Sequence, residues 1–503
     1  MDAVPGDTFT IKPSAFVRFA PMIAPVMHRV NVFKHYFFVP NRIVWPEEGA
    51  NKGFDNFISG GEDGMDTTVW AHTRYMPDSF SSGALPDYMG LPISTDIIGT
   101  STNQEMPVSI LPFMAYNKIW NEYYRDQNLQ EKIVDKTGDG EQPISSEFMT
   151  VRERAWQHDY FTSALPWTQK GPEALLPLGT EAPVLAKEFD DPGNFVQWFR
   201  SRTTGTILAG SGDIGQNNGT PTQWDPLGDD VYLDLNNTHF ADLSQATAAS
   251  INDLRRAFAL QSWLEKNARG GSRYTEVIHM HFGIKPQDAR LQRPEYIGGC
   301  KTPVKISEVL QTSGAGLEND GTPLPSLSPQ GNMAGHGVAV GGGKPFKYTC
   351  QEHGYIIGIM SVMPVSSYQQ GFPRHFSRSD KFDYYWPSFA HIGEQPVYNR
   401  ELGFSGDPNW NSGVFGYVPR YAEYKFMSNT VHGDFKNTLD FWHMSRKFSS
   451  VPNLNEDFIS MDQSEVDRIF AVENPDSQRL WCQVLNEVTA RRPMPIFGTP
   501  KIM

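Results

Sequence analysis

Apolar residues occupy both faces of an extended stretch near the start of the chain, HRVNVFKHYFFVPNRIVW at 28–45. Successive residues of a strand point to opposite faces, so a half-exposed strand alternates apolar and polar positions. Here both alternating rows are apolar with one or two polar members: Val30, Val32, Lys34, Tyr36 and Phe38 in one, Asn31, Phe33, His35, Phe37 and Val39 in the other. We therefore expect a strand whose second face is covered, either by another part of the chain or by a neighbouring molecule.

Four more stretches have strand-like patterns. YTEVIHMHF at 274–282 alternates, and GYIIGIMSVMPV at 354–365 is a continuous apolar run, typical of a strand buried on both sides. NTLDFWHM at 437–444 and RLWCQVLNEVTA at 479–490 also predict strands. The chain is therefore expected to be mainly β.

Helical spacing of apolar residues predicts two helices, at 111–128 and at 250–269. In the second, Ser250 is the expected N-cap and Gly270 the expected stop. These helices should pack on the ends or flank of the sheets.

Two connections are unusually long, at 178–249 and 312–345. Both are rich in Gly, Asn, Asp, Thr or Pro, and compact domains rarely keep such loops unless they are functional or disordered. There is no internal repeat and no interdomain linker. The sequence therefore predicts a single domain over 1–503, with a surface insertion at 190–249 and a second long loop at 312–345.

Charge limits the choice of partners. The 503 residues carry a formal net charge of −14, whereas a protein that wraps nucleic acid by charge alone should be basic. A DNA partner would thus need a local basic patch or a separate basic protein. The three cysteines have no metal-binding spacing, and the chain has neither an 18-residue apolar run nor a secretion signal, so we expect reduced thiols and folding in a cytoplasm.

Candidate chemistry is weak throughout. His279 and His281 could share a strand face as metal ligands, but no third ligand is identifiable, and a polar strand face is the simpler interpretation. Four acidic residues could supply oxygen to calcium yet match no calcium loop: Asp225, Asp229, Asp230 and Asp234. GGGKPF at 341–346 lacks the spacing of a phosphate loop. The sequence predicts no enzyme, metal or cofactor.

Basic residues lie beside aromatic ones in three places. Positive charge combined with stacking platforms is the chemistry of single-stranded nucleic-acid binding. The predicted DNA contacts are Arg374, Arg378, Lys381, Arg446, Lys447, Arg491 and Arg492. The alternative is that these cations form a solvated face or ion pairs between subunits.

Long, idiosyncratic blocks carry a resemblance to a known family. The blocks are HRVNVFKHYFFVPNRIVWPE (28–47), NKIWNEYYRDQN (117–128), DYFTSALPWTQKGP (159–172), RYTEVIHMHFGIKPQDARLQRPEYIGG (273–299), EHGYIIGIMSVMP (352–364) and RRPMPIFGTP (491–500). In this order they resemble the major capsid proteins of the Microviridae, most of all the gokushovirus branch of these small single-stranded DNA phages. The departures fall at 48–110, 178–249 and 312–345.

The resemblance implies a single eight-stranded jelly roll with long insertions, sixty copies of which form a T=1 icosahedral shell around circular single-stranded DNA. It also implies assembly in the host bacterial cytoplasm with an internal scaffolding protein, a small basic DNA-binding protein and a pilot protein, and a virion that meets a host surface receptor without membrane insertion.

The insertion 190–249 would form protrusions at the three-fold axes. Three copies meeting there would bury the apolar residues of an otherwise polar loop, Trp224, Val231, Leu233 and Leu235. The alternative is a surface loop without trimer contacts.

Two other classes of protein remain open on the residues alone. Aromatic-rich β proteins include carbohydrate-binding or glycosidase-like β-sandwiches, and a single-stranded DNA-coating protein could work without a shell. Electron micrographs of purified material separate these from a capsid protein, because only the latter forms uniform isometric particles.

Overall fold

Two antiparallel sheets form the framework of the protein in a computed structural model. The structure describes residues 1–62, 65–98, 105–134, 137–143, 146–172, 174, 251–271, 273–312, 331–472, 474 and 477–494, and the backbone of five short strands between 184 and 241. The chain divides into two compact units, Met1–Thr168 with Asn267–Met503, and Gln169–Lys266. It is mainly β with few helices, as predicted.

The larger unit contains both main sheets. Their strands, in chain order, are β1 Asp2–Ala3, β2 Thr8–Phe19, β3 Val30–Pro40, β4 Glu295–Pro303, β5 Lys305–Leu310, β6 Met333–Gly342, β7 Phe346–Thr349, β8 Gly354–Pro364 and β9 Leu480–Arg491. The first sheet has the order β1-β8-β3-β4. In the second sheet, β2 is central. One edge of β2 pairs with β9 along its whole length, and the other edge pairs with β7 in its first half and with β6 in its second half. Strand β5 pairs with the outer edge of β6. The chain crosses between the sheets at Val304.

Both faces of β3 are buried, and only His35 is partly accessible. The row that begins at Val30 packs against the second sheet, where Val17 and Ile11 lie in the same apolar clusters. The opposite row packs, through Phe37, against Trp45 and a helix of the same chain. The prediction of a doubly buried strand is confirmed, and its cover comes from within the chain.

That covering helix is α1, Leu111–Ile119, which continues as a π-helical turn over Trp120–Tyr124. The Tyr124 hydroxyl and His35 Nδ1 are 2.8 Å apart, so the turn also gives this polar residue of the row a partner. The helix predicted at 111–128 is confirmed, although it ends four residues earlier.

The helix predicted at 250–269 is confirmed as α2, Ile251–Gly270. The strands predicted at 354–365 and 479–490 are confirmed as β8 and β9.

The strand predicted at 274–282 is wrong, because Tyr274–Phe282 is a helix, α3. The Glu276 carboxylate accepts a hydrogen bond from the backbone N–H of Arg273 at its start, and Gly283, at φ +70°, ends it in the left-handed conformation. His279 and His281 are two residues apart on a helix, so they do not share a face.

The strand predicted at 437–444 is also wrong. The stretch follows one 3₁₀ turn, Gly433–Lys436, and contains another, Asp440–Trp442. The carbonyl of Asp434 accepts hydrogen bonds from the N–H groups of Asn437 (3.1 Å) and Leu439 (2.9 Å). Local turns thus satisfy backbone groups that a strand would pair across a sheet.

The long loop predicted at 312–345 contains strand β6, so that boundary is corrected. Its glycines suggest a loop, but the sheet requires them. A Cβ at Gly335 would lie 2.2 Å from the Ala24 carbonyl oxygen, and one at Gly337 would lie 2.9 Å from Phe19 Cγ. Neighbouring groups approach too closely for any side chain.

Shorter elements complete the larger unit. Three pairs of strands are His72–Tyr75 with Met106–Ser109, Ser367–Tyr368 with Asn429–Thr430, and Glu394–Tyr398 with Val414–Pro419. The short α-helices are Asn41–Val44, Gly53–Ser59, Leu85–Met89, Asn399–Leu402, Pro408–Ser412 and Glu456–Ile459. Further 3₁₀ turns are Pro77–Ser79, Ser94–Asp96, Ser146–Met149, Arg374–Phe376, Lys381–Asp383, Pro387–Phe389, Ala422–Tyr424, Gln463–Glu465 and Asp467–Ile469.

The smaller unit, Gln169–Lys266, has its own strands. Phe199–Ser201 lies between Ile207–Leu208 and Val231–Leu233, and Val184–Ala186 pairs with His239–Ala241. The predicted insertion 190–249 lies inside this unit.

Two further predictions concern the cysteines and membrane-spanning segments. Cys300, Cys350 and Cys482 are free thiols, as expected. In the described part of the chain, no helix has both the length and the apolarity that a membrane span requires.

Candidate assembly and nucleic-acid surfaces

The segment 372–386 displays aromatic rings at the surface of the larger unit. Six of its aromatic side chains are between 42% and 69% exposed: Phe372, Phe376, Phe382, Tyr384, Tyr385 and Trp386. Short 3₁₀ turns fold this segment, and the Trp386 indole N–H donates to the Lys381 carbonyl at 2.8 Å. The segment therefore presents several π faces to solvent, as a stacking platform requires.

Two predicted cations fix this segment to the protein. Arg374 Nη1 lies 3.0 Å from Glu401 Oε1 and also donates to the Pro396 carbonyl. Arg378 lies 3.9 Å from Glu423 and stacks over the Tyr424 ring at 4.6 Å. The positive charges of Arg374 and Arg378 thus face carboxylates of the same chain, so these two residues position the aromatic segment.

The carboxylate that anchors Arg374 is itself buried. Burial raises the pKa of Glu401, although the Arg374 guanidinium beside it acts in the opposite direction. The Tyr160 hydroxyl donates to its second oxygen at 2.9 Å. The ion pair is thus held in a low-dielectric setting, where the loss of one partner is costly.

Lys381 is the exposed cation of this segment. Its Nζ lies 5.0 Å from the centre of the Phe382 ring, and among the described residues it makes no ion pair. A free ammonium beside exposed rings combines the two features that single-stranded nucleic acid recognises.

Arg446 is 1% exposed, so the structure does not place it on a surface. Its Nε and Nη2 bind both oxygens of Glu465 at 2.9 and 3.0 Å. The guanidinium lies among the rings of Trp156, Phe448 and Phe458, 4.3 to 5.2 Å from their centres. An arginine next to an aromatic residue in sequence is here part of the interior.

Lys447, the next residue, points outward. Its Nζ is 2.8 Å from Asp440 Oδ2, and its side chain is 44% exposed. The hydrogen bond from Lys447 lowers the pKa of Asp440. Such an exposed pair is weak and exchanges readily with other anions.

Arg491 and Arg492 close β9 and differ in the same way. Arg492 pairs with the fully buried Asp7 at 3.2 Å and lies over the Phe9 ring. Arg491 is exposed and makes no ion pair with any described residue. The candidates that retain an accessible charge are thus Lys381, Lys447 and Arg491.

The metal candidates do not assemble. In the described residues, no group of three or more His, Cys, Asp or Glu side chains could hold an ion. His281 Nε2 lies 2.8 Å from Asn267 Oδ1, an ordinary side-chain hydrogen bond. The acidic group, Asp225, Asp229, Asp230 and Asp234, lies outside the described residues.

Two predicted contacts of the insertion, Trp224 and Leu235, also lie outside the described residues. Val231 and Leu233 belong to the strand Val231–Leu233, but their side chains are outside the described part. The three-fold contact therefore stays a prediction.

Sequence reasoning overlooked Trp386 and Arg420. Arg420 Nη2 donates to the Phe382 carbonyl at 2.7 Å, which brings a fourth cation to the aromatic segment from 38 residues away. Trp386 directly follows Tyr384 and Tyr385, so the sequence itself places a third ring beside them. Nothing in the local sequence indicates that Arg420 folds back onto the segment.

Comparison with known proteins shows the family to which the chain belongs. The profile of the family described as "Capsid protein (F protein)" matches residues 1–502. The chain is 33% identical to capsid protein VP1 of Chlamydia phage 1, over 99% of this chain and 91% of that protein. It is 34% identical to capsid protein VP1 of Bdellovibrio phage phiMH2K and 32% identical to that of Spiroplasma virus 4, in each case over 99% of this chain and 90% of the relative.

The chain belongs to this family of phage capsid proteins. The predicted likeness to gokushovirus capsid proteins is confirmed. Membership implies a structural role in the virion and self-assembly into a shell. It favours a capsid protein over a carbohydrate-binding sandwich or a DNA-coating protein without a shell.

Proposed function

We propose that the protein is the major capsid protein of a small single-stranded DNA phage and that sixty copies close into a T=1 icosahedral shell. The family match over residues 1–502 carries this proposal. The two facing sheets support a jelly-roll framework of the viral capsid type, which is an architecture of two packed antiparallel sheets with long connections.

Expression of the chain in a bacterium with the phage's other structural proteins tests the proposal. Negative-stain micrographs should show uniform isometric particles that contain this chain as their main component. Material that remains monomeric, or that forms only irregular aggregates, would contradict it.

The genome is proposed to be circular single-stranded DNA in contact with the exposed aromatic segment 372–386. Lys381 supplies an unpaired positive charge beside rings that can stack on bases. Lys447 and Arg491 are the other accessible candidates. Arg374, Arg378 and Arg492 position the surface through ion pairs, and buried Arg446 is not proposed as a contact.

Replacement of Lys381 by alanine, together with Phe376→Ala, should lower the DNA packaged per particle and increase its loss at high salt. Lys305→Ala is the control, because Lys305 is also exposed and lies on strand β5, away from the aromatic segment in sequence. Nuclease-protected DNA per particle is the measurement. Unchanged packaging in the Lys381 variant would rule out this contact.

Charge supports the need for further partners. A shell of chains that each carry −14 cannot neutralise a genome by itself. We propose a small basic DNA-binding protein for that role, along with an internal scaffolding protein and a pilot protein, all acting in the host cytoplasm. Mass spectrometry of purified particles and of their precursors should detect these proteins.

The insertion 190–249 is proposed to form three-fold protrusions that meet a host surface receptor. Its location inside the separate unit Gln169–Lys266 supports a role outside the shell framework. Removal of 205–245, bridged by a short Gly/Ser linker, should leave particles that assemble but do not attach to cells. If no particles form, the segment belongs to the shell framework instead.

A further inference from the structure

Strand β9 is a long strand at the edge of the second sheet in the described part of the chain. It pairs with β2 residue by residue, from Leu480 opposite Phe19 to Arg491 opposite Thr8, and no other described strand pairs with it. Eleven of its twelve residues are exposed. Its unpaired edge is about 40 Å long and offers backbone groups to any incoming chain, a feature that proteins normally cover, shorten or charge.

The inner face of β9 is open as well. Directly paired residues of antiparallel strands point to the same face. Val484 pairs with Ala15 and Val488 with Ile11, which are buried between the sheets, yet the two valines are 43% and 37% exposed. The first sheet therefore covers these two side chains only in part.

On the same side of the sandwich, the edge of the first sheet at β8 is open as well. The Tyr36 hydroxyl of β3 donates to Asn486 Oδ1 at 2.6 Å, which links the two sheets at this point. Beyond Tyr355, no described strand pairs with the edge of β8 that faces away from β3, and Gly358 in this stretch is exposed. The sandwich is thus open between β8 and β9, whereas at its other side the chain itself crosses between the sheets at Val304.

The outer face of β9 is apolar too, with Trp481 and Leu485 49% and 55% exposed. The strand has only one acidic and one basic residue, Glu487 and Arg491, and Glu487 is already paired with Lys12 at 2.9 Å. Strand β9 is therefore an apolar and nearly neutral strip of the surface, although the whole chain has a net charge of −14.

We propose that β9 and the open side of the sandwich form a contact between copies of this chain, with an apolar element of a second copy covering β9. Nucleic acid does not fit, because the strip lacks the positive charge that phosphates require. Two chains of charge −14 repel each other, so they meet most favourably where each is neutral and apolar. A stable interface buries about 800 Å² per partner, more than one strand edge supplies, so both faces of β9 should take part. The proposal rests on the self-assembly proposed above.

Charged substitutions on the inner face test it. Val484→Lys with Val488→Lys should leave the free chain folded, because both side chains are accessible there, and should lower particle yield at least tenfold. Ile98→Lys is the control, since Ile98 is 99% exposed and lies far from β9 in sequence. Circular dichroism melts report folding, and sucrose-gradient sedimentation reports assembly. Wild-type yield from the double variant would overturn the proposal.

Labelling of Cys482 with a maleimide gives a second test that needs no folding of a variant. Cys482 is exposed on β9. In the wild-type protein it should react at least tenfold faster in the free chain than in the particle. Equal rates would overturn the proposal, and so would a Cys482 already protected in the free monomer, because β9 would then be covered from within its own chain. The two proposals can be told apart. A wild-type chain that forms no particles would refute the proposed function. Protection of Cys482 in a dimer would still support the contact at β9.

Discussion

Burial decides the role of each predicted cation at the residue scale. Arg446 and Lys447 are neighbours in sequence beside Phe448, and the pattern gave no reason to separate them. The structure places Arg446 inside and Lys447 outside. Sequence reasoning could find positive charge beside aromatic residues but not the carboxylate that meets it, because Glu465 comes from a different segment.

Loss of the buried pair should therefore be costly. Arg446→Ala leaves the Glu465 carboxylate without its bidentate partner, and we expect the free energy of unfolding to fall by roughly 3–5 kcal/mol. Lys447→Ala removes only an exposed pair and should cost less than about 1 kcal/mol. Urea unfolding of the free chains measures both. Similar losses in the two variants would contradict this assignment.

Two partly buried histidines make stability depend on pH. Burial lowers the pKa of His28 to about 4, and the charges of His443, Arg468 and Arg29 act in the same direction. Burial likewise lowers the pKa of His35 to about 4, with a further effect from Arg154. The unfolded chain binds protons near pH 6.5, so between about pH 6.5 and 4 it holds more protons than the folded chain.

The free energy of unfolding should thus be highest above about pH 6.5 and fall as the pH drops toward 4. His28→Asn should flatten this slope, whereas His391→Asn, at an exposed position, should leave it unchanged. Urea unfolding at a series of pH values checks this. A slope that is the same in wild type and His28→Asn would exclude His28 as a cause.

At the element scale, local pattern predicts some strands, and contacts with distant residues determine others. Strand β8 has a continuous apolar run, and β3 and β9 repeat apolar residues at alternate positions, and both patterns are typical of strands. The apolar residues of 274–282 fit both a strand and a helix, and Gly283, which ends the helix, is the local signal that separates the two. The glycines of β6 are typical of a loop, but they serve contacts with distant residues such as Ala24 and Phe19, which the local sequence does not reveal.

A glycine pair within β6 tests this explanation. Gly335→Ala places a Cβ against the Ala24 backbone and should lower the free energy of unfolding by about 1–3 kcal/mol. Gly342→Ala is the matched control at the end of the same strand, where the nearest group, the Pro13 carbonyl oxygen, is 3.4 Å away. We expect a change of less than about 0.5 kcal/mol there. Equal effects would show that backbone flexibility, not the close contact, requires these glycines.

At the scale of the whole molecule, the chain covers one face of its sandwich and leaves another part open. The covering region, with Trp45 and α1, accounts for much of the apolar sequence that first suggested a neighbour. The exposed apolar residues include those of β9 and of the aromatic segment 372–386. We propose another copy of the chain as the partner of β9 and the genome as the partner of the aromatic segment.

The most direct test of the proposed capsid role is a cryo-EM reconstruction of particles purified with this chain. The proposed function predicts icosahedral T=1 symmetry and sixty copies of the 56.6 kDa chain. The structure predicts in each copy two facing sheets, with β3 buried between the second sheet and α1. A mainly helical subunit, a different copy number, or particles in which this chain is absent would contradict the account.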